Sequence, residues 1–291
     1  MSWNTETILK LGRVSNLPTV WSNVLAGVVL AGVSPLSWNI LIVLVAMSMA
    51  YIGGMFLNDA FDRKIDAKER PERPIPSGQI KAAEVYAAGF TLLTGALFFT
   101  LLAALAWNGS TLVASSCAVL LCAAIVLYNA WHKNNPYSPV IMGLCRILVY
   151  FCAAFTATGT PSGMLYLGAI ALMAYLIGLT YVAKQENLGQ VKNLWPVAFL
   201  AVPGLLGIYA AVADTQVWIP LVAFNCWVIF CLFLINRQQQ GDIPKAVVSL
   251  IAGISLVDAL FIASMSSLTI MLFAFVAFLL TVFLQRYISG T

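Results

Sequence analysis

Residues 38–80 read WNILIVLVAMSMAYIGGMFLNDAFDRKIDAKERPERPIPSGQI, an apolar run that passes without a break into a densely charged one. The apolar part, 38–58, is long enough to cross the hydrocarbon core of a bilayer as a helix, which takes about 20 residues. The charged part carries Asp59, Asp62, Asp66, Glu69 and Glu72 among basic residues and then three prolines within RPIPSG and its approach. The stretch therefore reads as a membrane span whose end delivers carboxylates to the membrane edge.

Outward from this point the same hydropathy recurs at 17–34, 84–107, 111–130, 138–158, 163–183, 194–213, 217–236, 245–266 and 267–288, which makes ten spans in all. The composition agrees: 61% of the 291 residues are hydrophobic and 9% are charged, where a soluble domain carries about 25% charged residues. A single transmembrane domain over 1–291 is expected, with 1–16 as an interfacial N-terminal segment and 59–82 as an Asp-rich cytoplasmic loop. The N-terminus lacks the basic start and short apolar core of a secretory signal and is expected to stay on the protein. A net charge of +4 is too small and too scattered for nucleic-acid binding.

The connections between spans alternate in kind. One set is short and uncharged or acidic; the other holds Lys10, Arg13, the six basic residues from Arg63 to Lys81, Lys133, Lys184, Lys192, Arg237, Lys245 and Arg286. Fourteen of fifteen basic residues thus share one side, and the positive-inside rule makes that side cytoplasmic, with both termini, in an inner or plasma membrane. The exception is Arg146, inside the fifth span. A charge at that depth is costly unless it faces a cavity or a partner, so Arg146 is a candidate functional residue. Asp258, within the ninth span, reads as a structural acid paired with a polar neighbour such as Asn225. The six cysteines lie in apolar spans without metal-ligand spacing and read as small core hydrophobes.

Were the second span to continue as a helix, Asn58, Asp62 and Asp66 would follow i, i+4, i+8, with Asp59 beside them. Stacked carboxylates repel one another unless a cation neutralises them. Magnesium suits such a stripe, since it takes one or two carboxylates together with waters and substrate phosphate oxygens. Asn58, Asp59, Asp62 and Asp66 are therefore the expected metal site. The proline-stiffened RPERPIPSG segment would fold basic residues back over it.

The series Asn58-Asp59-x-x-Asp62-x-x-x-Asp66 followed by Arg70-Pro71-Glu72-Arg73-Pro74-Ile75-Pro76-Ser77-Gly78 resembles the first aspartate-rich motif of the UbiA family of intramembrane prenyltransferases. The Tyr128-Asn129-Ala130-Trp131-His132-Lys133 run is similar to the family's tyrosine-plus-base segment, and Arg146 sits in a following GLCR stretch. Within the family, the string DRxxDAxERPERPIPSG resembles the EboC-type branch. The resemblance implies an all-α integral membrane bundle of about ten spans, with a central cavity open to a cytoplasmic Asp-rich cap. It implies Mg²⁺ as cofactor, a prenyl diphosphate donor, a small cyclic or aromatic acceptor and membrane lipid as surroundings.

On that reading Asp62, Asp66, Lys133, Arg146 and Lys184 are the catalytic candidates. Asn16, Asn23, Asn58, Arg73, Tyr128, His132, Tyr181 and Glu186 are the substrate-binding ones. Two departures stand out. His132 occupies the position where the family has a lysine, and a helical rotation of about 100° turns Lys133 from the pocket. The second aspartate motif is replaced by TYVAKQEN, with Gln185 in place of an acid and Lys184 adding positive charge. Either Lys184 neutralises pyrophosphate directly with fewer metals, or the protein binds a lipid diphosphate, or acts as a transporter, without transferring it. No inverted repeat of the transporter kind is visible.

Overall fold

The computed structural model describes residues 3–107, 109–133, 135–185, 195–237, 239–265, 267–288 and 290. All regular structure among them is helical. A short amphipathic helix, α1 (Thr5–Leu11), leads through a 3₁₀ turn at Val14–Asn16 into α2 (Leu17–Leu30). There follow α3 (Asn39–Glu69), α4 (Ala82–Ala106), α5 (Thr111–Trp131), α6 (Ser138–Ala157), α7 (Gly163–Lys184), α8 (Val202–Ala213), α9 (Trp218–Arg237), α10 (Asp242–Ala263) and α11 (Leu268–Leu284).

Seven of these segments are long and apolar enough to cross a membrane, and Val14–Leu30, Val197–Ala213 and Leu268–Leu284 are shorter apolar helices. All ten expected spans thus exist as apolar helices, three of them shorter than a full crossing. Proline accounts for part of this: Pro18 and Pro203 sit in the first turns of α2 and α8, where the missing N–H costs nothing but the regular helix cannot extend backwards. Large apolar side chains such as Phe98, Leu112, Ile170, Leu205, Val212 and Leu279 point outward. On a soluble protein that exposure would be a liability; on a membrane bundle it is the lipid-facing surface. The protein is a multi-pass membrane protein.

The expected loop over 59–82 is corrected to 70–81. No proline or glycine lies between Asn58 and Glu69, so nothing stops the helix at the membrane edge, and α3 carries all three aspartates on helical turns. It ends at Arg70, whose φ of −143° and ψ of 62° leave the helical region. Pro71 imposes this by clashing with a helical residue ahead of it.

Two large apolar clusters hold the bundle, beside a small one of Leu11, Phe56, Ala60, Ile80 and Val85. One joins α2 to α3, α4, α5 and α6; the other joins α2 and α6 to α7, α9, α10 and α11. Helix α2 runs between them, packed against α6 and α10. Its approach to α6 is set by Gly27, where a Cβ would lie 2.6 Å from the Tyr150 carbonyl oxygen. A cavity of about 480 Å³ opens between the two clusters, with apolar walls from Val20, Met47, Leu121, Ile125, Val149, Leu176 and Ile254 and a polar mouth at the ends of α3, α5 and α7.

Candidate functional site

Helix α3 brings its acids to the mouth on successive turns. Asn58, Asp62 and Asp66 line the cavity and each is at least nine-tenths buried. Asp59, one residue from Asn58 and so about 100° around the helix, does not line it. Its Oδ1 instead accepts from Arg13 Nη2 at 3.0 Å and lies 3.4 Å from Arg73 Nη1. Of the expected metal set, Asn58, Asp62 and Asp66 thus face the cavity, while Asp59 is turned to the two guanidiniums.

Arg13 adopts a left-handed backbone, φ 42°, and this turns its side chain under the bundle. Its Nη2 also donates to Asn58 Oδ1 at 3.0 Å, and its carbonyl accepts from the Tyr51 hydroxyl at 3.2 Å. The loop after α3 is tied to itself by Ser77 N to Arg73 O at 2.9 Å and Gln79 N to Pro74 O at 3.0 Å. It returns Arg73 to the acids, Nη1 donating to Asp66 Oδ2 at 2.8 Å. The fold-back expected from the prolines is therefore present.

The opposing wall is the end of α5. Asn129 Oδ1 accepts from Asn58 Nδ2 at 3.1 Å while its own Nδ2 donates to the Gly54 carbonyl at 2.9 Å, fixing the two helices to each other. His132 stacks on Tyr128 with ring centroids 5.0 Å apart, and both line the cavity. His132 Nε2 lies 3.3 Å and Lys133 Nζ 4.0 Å from Asp62 Oδ2. The expected turning away of Lys133 does not occur: it lines the cavity beside His132. Across the mouth, Lys184 Nζ donates to the Asn135 carbonyl at 2.6 Å and Ser138 Oγ at 3.0 Å, at the start of α6.

Arg146 stands deeper. Eight residues along α6 from Ser138, it lies about 12 Å farther into the bundle at 1.5 Å per residue. It faces the cavity with its guanidinium 5.5 Å over the Tyr51 ring, and donates to Asn23 Oδ1 at 3.0 Å and Thr19 Oγ1 at 3.1 Å. The site is thus a carboxylate pair at the rim, a ring of cations around it, one arginine below and an apolar chamber beneath.

A model of the UbiA prenyltransferase family matches residues 20–192. The chain belongs to that family. It is 27% identical over 143 residues to a digeranylgeranylglyceryl phosphate synthase of Methanoregula boonei, covering 48% of this chain and 49% of that protein. It is 31% identical over 131 residues to a 4-hydroxybenzoate octaprenyltransferase of Aeromonas salmonicida, covering 44% and 41%. The matches span about half the length of the curated relatives or less. In fold, the chain is similar to a UbiA homologue from Archaeoglobus fulgidus bound to DMAPP and Mg²⁺, with a TM-score of 0.61 and 15% identity over 92% of this chain and 99% of that one. The EboC-type likeness rests on the loop string alone.

Within this UbiA-family bundle several expected site residues are placed elsewhere. Tyr181 packs against the second apolar cluster and does not line the cavity. Asn23 does not line it either, both ends of its amide being taken by Arg146 and Asp258. Asn16 lines the cavity, but its Nδ2 donates to the Gly290 carbonyl at 2.8 Å and its Oδ1 accepts from Gln285 Nε2 at 2.9 Å. Glu186 lies outside the described residues. Asn225 donates to the Leu221 carbonyl and does not partner Asp258.

Sequence reasoning passed over Arg13, Tyr51 and Asn129, all three of which line the cavity. Arg13 was absorbed by the positive-inside pattern, and Tyr51 and Asn129 by the apolar runs around them. An asparagine within a span is a usable signal, since a polar group there must find a partner.

Among the described residues no three His, Cys, Asp or Glu side chains form a closed metal cage. Mg²⁺ dehydrates reluctantly and uses one or two carboxylates beside substrate phosphate. Asp62 and Asp66, one turn apart and facing the same chamber with Asn58 below, offer that donor set.

Proposed function

We propose that this protein is an intramembrane prenyltransferase, moving an isoprenyl or polyprenyl group from its diphosphate to a small acceptor held in the cavity. The observation that carries the reading is the juxtaposition of Asp62 and Asp66 with Arg73, His132, Lys133 and Lys184 at the mouth of an apolar chamber. The bundle it shares with the DMAPP- and Mg²⁺-bound homologue supports the same donor chemistry. Asp62 and Asp66, with Asn58, would hold Mg²⁺, which when bound offsets the charge of the diphosphate leaving group.

The chain's own cations act on the same charge. As the allylic carbon–oxygen bond breaks, its electron pair leaves with pyrophosphate, and Arg73, Lys133 and Lys184 stand where that negative charge grows. His132, stacked on Tyr128 beside Asp62, contributes a donor at the same rim. The chamber walls of Val20, Met47, Leu121 and Leu176 shield the allylic cation from water. Tyr51 and Tyr128 line the same chamber, with Arg146 over one ring and His132 stacked on the other. The acceptor then forms the new carbon–carbon or carbon–oxygen bond and gives up a proton.

The acceptor is read as cyclic or aromatic. The names of the relatives span a glyceryl phosphate and a hydroxybenzoate, so the chamber's contents are set by experiment. The mouth and both termini face the cytoplasm on this reading. The test is incubation of the purified protein in detergent with Mg²⁺, prenyl diphosphates of several lengths and a panel of cyclic and phosphate-bearing acceptors. Pyrophosphate release with a matching prenylated product supports it. Tight diphosphate binding without release with every acceptor would make the protein a lipid-diphosphate binder.

A further inference from the structure

Asp258 lies in the C-terminal half of α10 and is fully buried. A carboxylate at that depth is costly unless every lone pair is met. Ser22 and Tyr150 each donate a hydroxyl to it, and Asn23 Nδ2 lies 3.0 and 2.9 Å from its two oxygens. It does not line the cavity, so it touches no substrate. Its partners come from α2 and α6, and one of them, Asn23, is also the partner of Arg146.

The order of donors and acceptors along this chain of side chains is fixed. An ionised carboxylate only accepts and a guanidinium only donates. A group between them must donate on one side and accept on the other; a side-chain amide does so from two different atoms, whereas an ionised carboxylate or an aliphatic group of that size does not. With Nδ2 drawn to Asp258, Oδ1 is turned to Arg146 Nη1 at 3.0 Å. Thr19 Oγ1 takes Nη2 in the same way, its own proton given to the Asn16 carbonyl at 2.7 Å. The fold thus spends a buried acid on the orientation of one amide.

We propose that Asp258 is a positioning residue for Arg146: through the Asn23 amide it fixes where the guanidinium stands in the cavity wall and offsets its charge inside the bundle. The proposal rests on the transferase reading for its kinetic consequence, but the placement of Arg146 has a readout of its own. In Asp258→Asn the replacement amide both donates and accepts, so it no longer dictates which end of the Asn23 amide meets it, and Arg146 loses its fixed anchor. Asn23→Ala removes the bridge and leaves the Ser22 and Tyr150 bonds to Asp258 in place. Ser22→Ala removes a bond to Asp258 and leaves the bridge.

The experiment compares the full-length parent with Asp258→Asn, Asn23→Ala, Ser22→Ala, Arg146→Lys and the Arg146→Lys, Asp258→Asn pair in detergent. The first readout is the rate at which phenylglyoxal modifies Arg146, followed by peptide mass spectrometry. It should rise in Asp258→Asn and Asn23→Ala and stay at the parent value in Ser22→Ala. The second is kcat/KM for transfer, which should fall about tenfold or more in Asp258→Asn and Asn23→Ala, with the paired variant no worse than Arg146→Lys alone. Parental labelling in Asn23→Ala, or losses that multiply in the pair, would overturn the proposal. Should Asp258→Asn not fold, Asn23→Ala decides it by labelling alone. A parent protein that transfers nothing would sink the transferase reading and leave the labelling result intact.

Discussion

His132 Nε2 stands 3.3 Å from Asp62 Oδ2, with the imidazole stacked on Tyr128 and its Nδ1 3.2 Å from the Tyr128 carbonyl. His132 is therefore part of the rim, held in one orientation by its own helix. Lys133 reaches the same carboxylate at 4.0 Å from a side chain that is 43% exposed.

The two side chains should differ in effect. His132→Ala should lower kcat/KM for the diphosphate by about 10²-fold, the usual cost of losing one pre-set donor to a leaving group. Lys133→Ala should cost less than about tenfold, because a solvated charge is worth under about 1 kcal/mol. Steady-state pyrophosphate release with each variant checks the ranking, and a larger loss in Lys133→Ala would show that the lysine is the principal diphosphate contact.

Asp59 is the acid that the cavity does not see. Asp59→Asn should leave the magnesium concentration for half-maximal activity where it is, while lowering the thermal midpoint in detergent, because it strips Arg13 and Arg73 of a buried partner. Asp62→Asn should do the reverse, raising the magnesium requirement with little change in midpoint. Equal shifts in magnesium dependence would return Asp59 to the metal site.

Lys184 is anchored to the start of α6 by the Asn135 carbonyl and Ser138. Its ammonium is thus ordered before substrate arrives. Lys184→Met should reduce kcat by about 10²-fold if it meets charge that appears only as the bond breaks. Ser138→Ala, which leaves the carbonyl anchor, should cost little. A rise in KM with kcat unchanged would assign Lys184 to ground-state binding.

The orientation is checked by single cysteines in a variant lacking the native six. Lys68→Cys and Arg237→Cys should react with an impermeant thiol reagent only from the cytoplasmic side, and Asp214→Cys only from the other. Mixed labelling of Lys68→Cys and Arg237→Cys would break the alternation of the spans.

The positions of the apolar helices, the acidic face of α3 and the returning loop were all legible, because each follows from local rules: hydropathy, helical spacing and proline. Helix ends were less so. Nothing in 59–69 marks an exit from the membrane, and the helix runs on to Glu69, two residues before Pro71; α5 has no proline or glycine within it to announce its stop at Trp131. Partners across the bundle were not legible at all. Arg13 meets Asp59 over 46 positions of chain, and Asn23 meets Asp258 over 235. Such pairs depend on which helices are neighbours, which hydropathy does not encode. Tyr181 shows the converse: its motif resembles the family's, yet its half-buried side chain packs against an apolar cluster away from the cavity.

The central claim is that Asp62 and Asp66 hold the diphosphate of a prenyl donor through magnesium at the mouth of the cavity. The direct measurement is binding of geranyl diphosphate to the purified protein, by calorimetry, with and without Mg²⁺, in the parent and in the Asp62→Asn, Asp66→Asn double variant. The parent should bind with a strong dependence on Mg²⁺, and the variant should bind weakly and to the same extent with or without the metal. Equal, magnesium-dependent binding by both proteins would contradict the account.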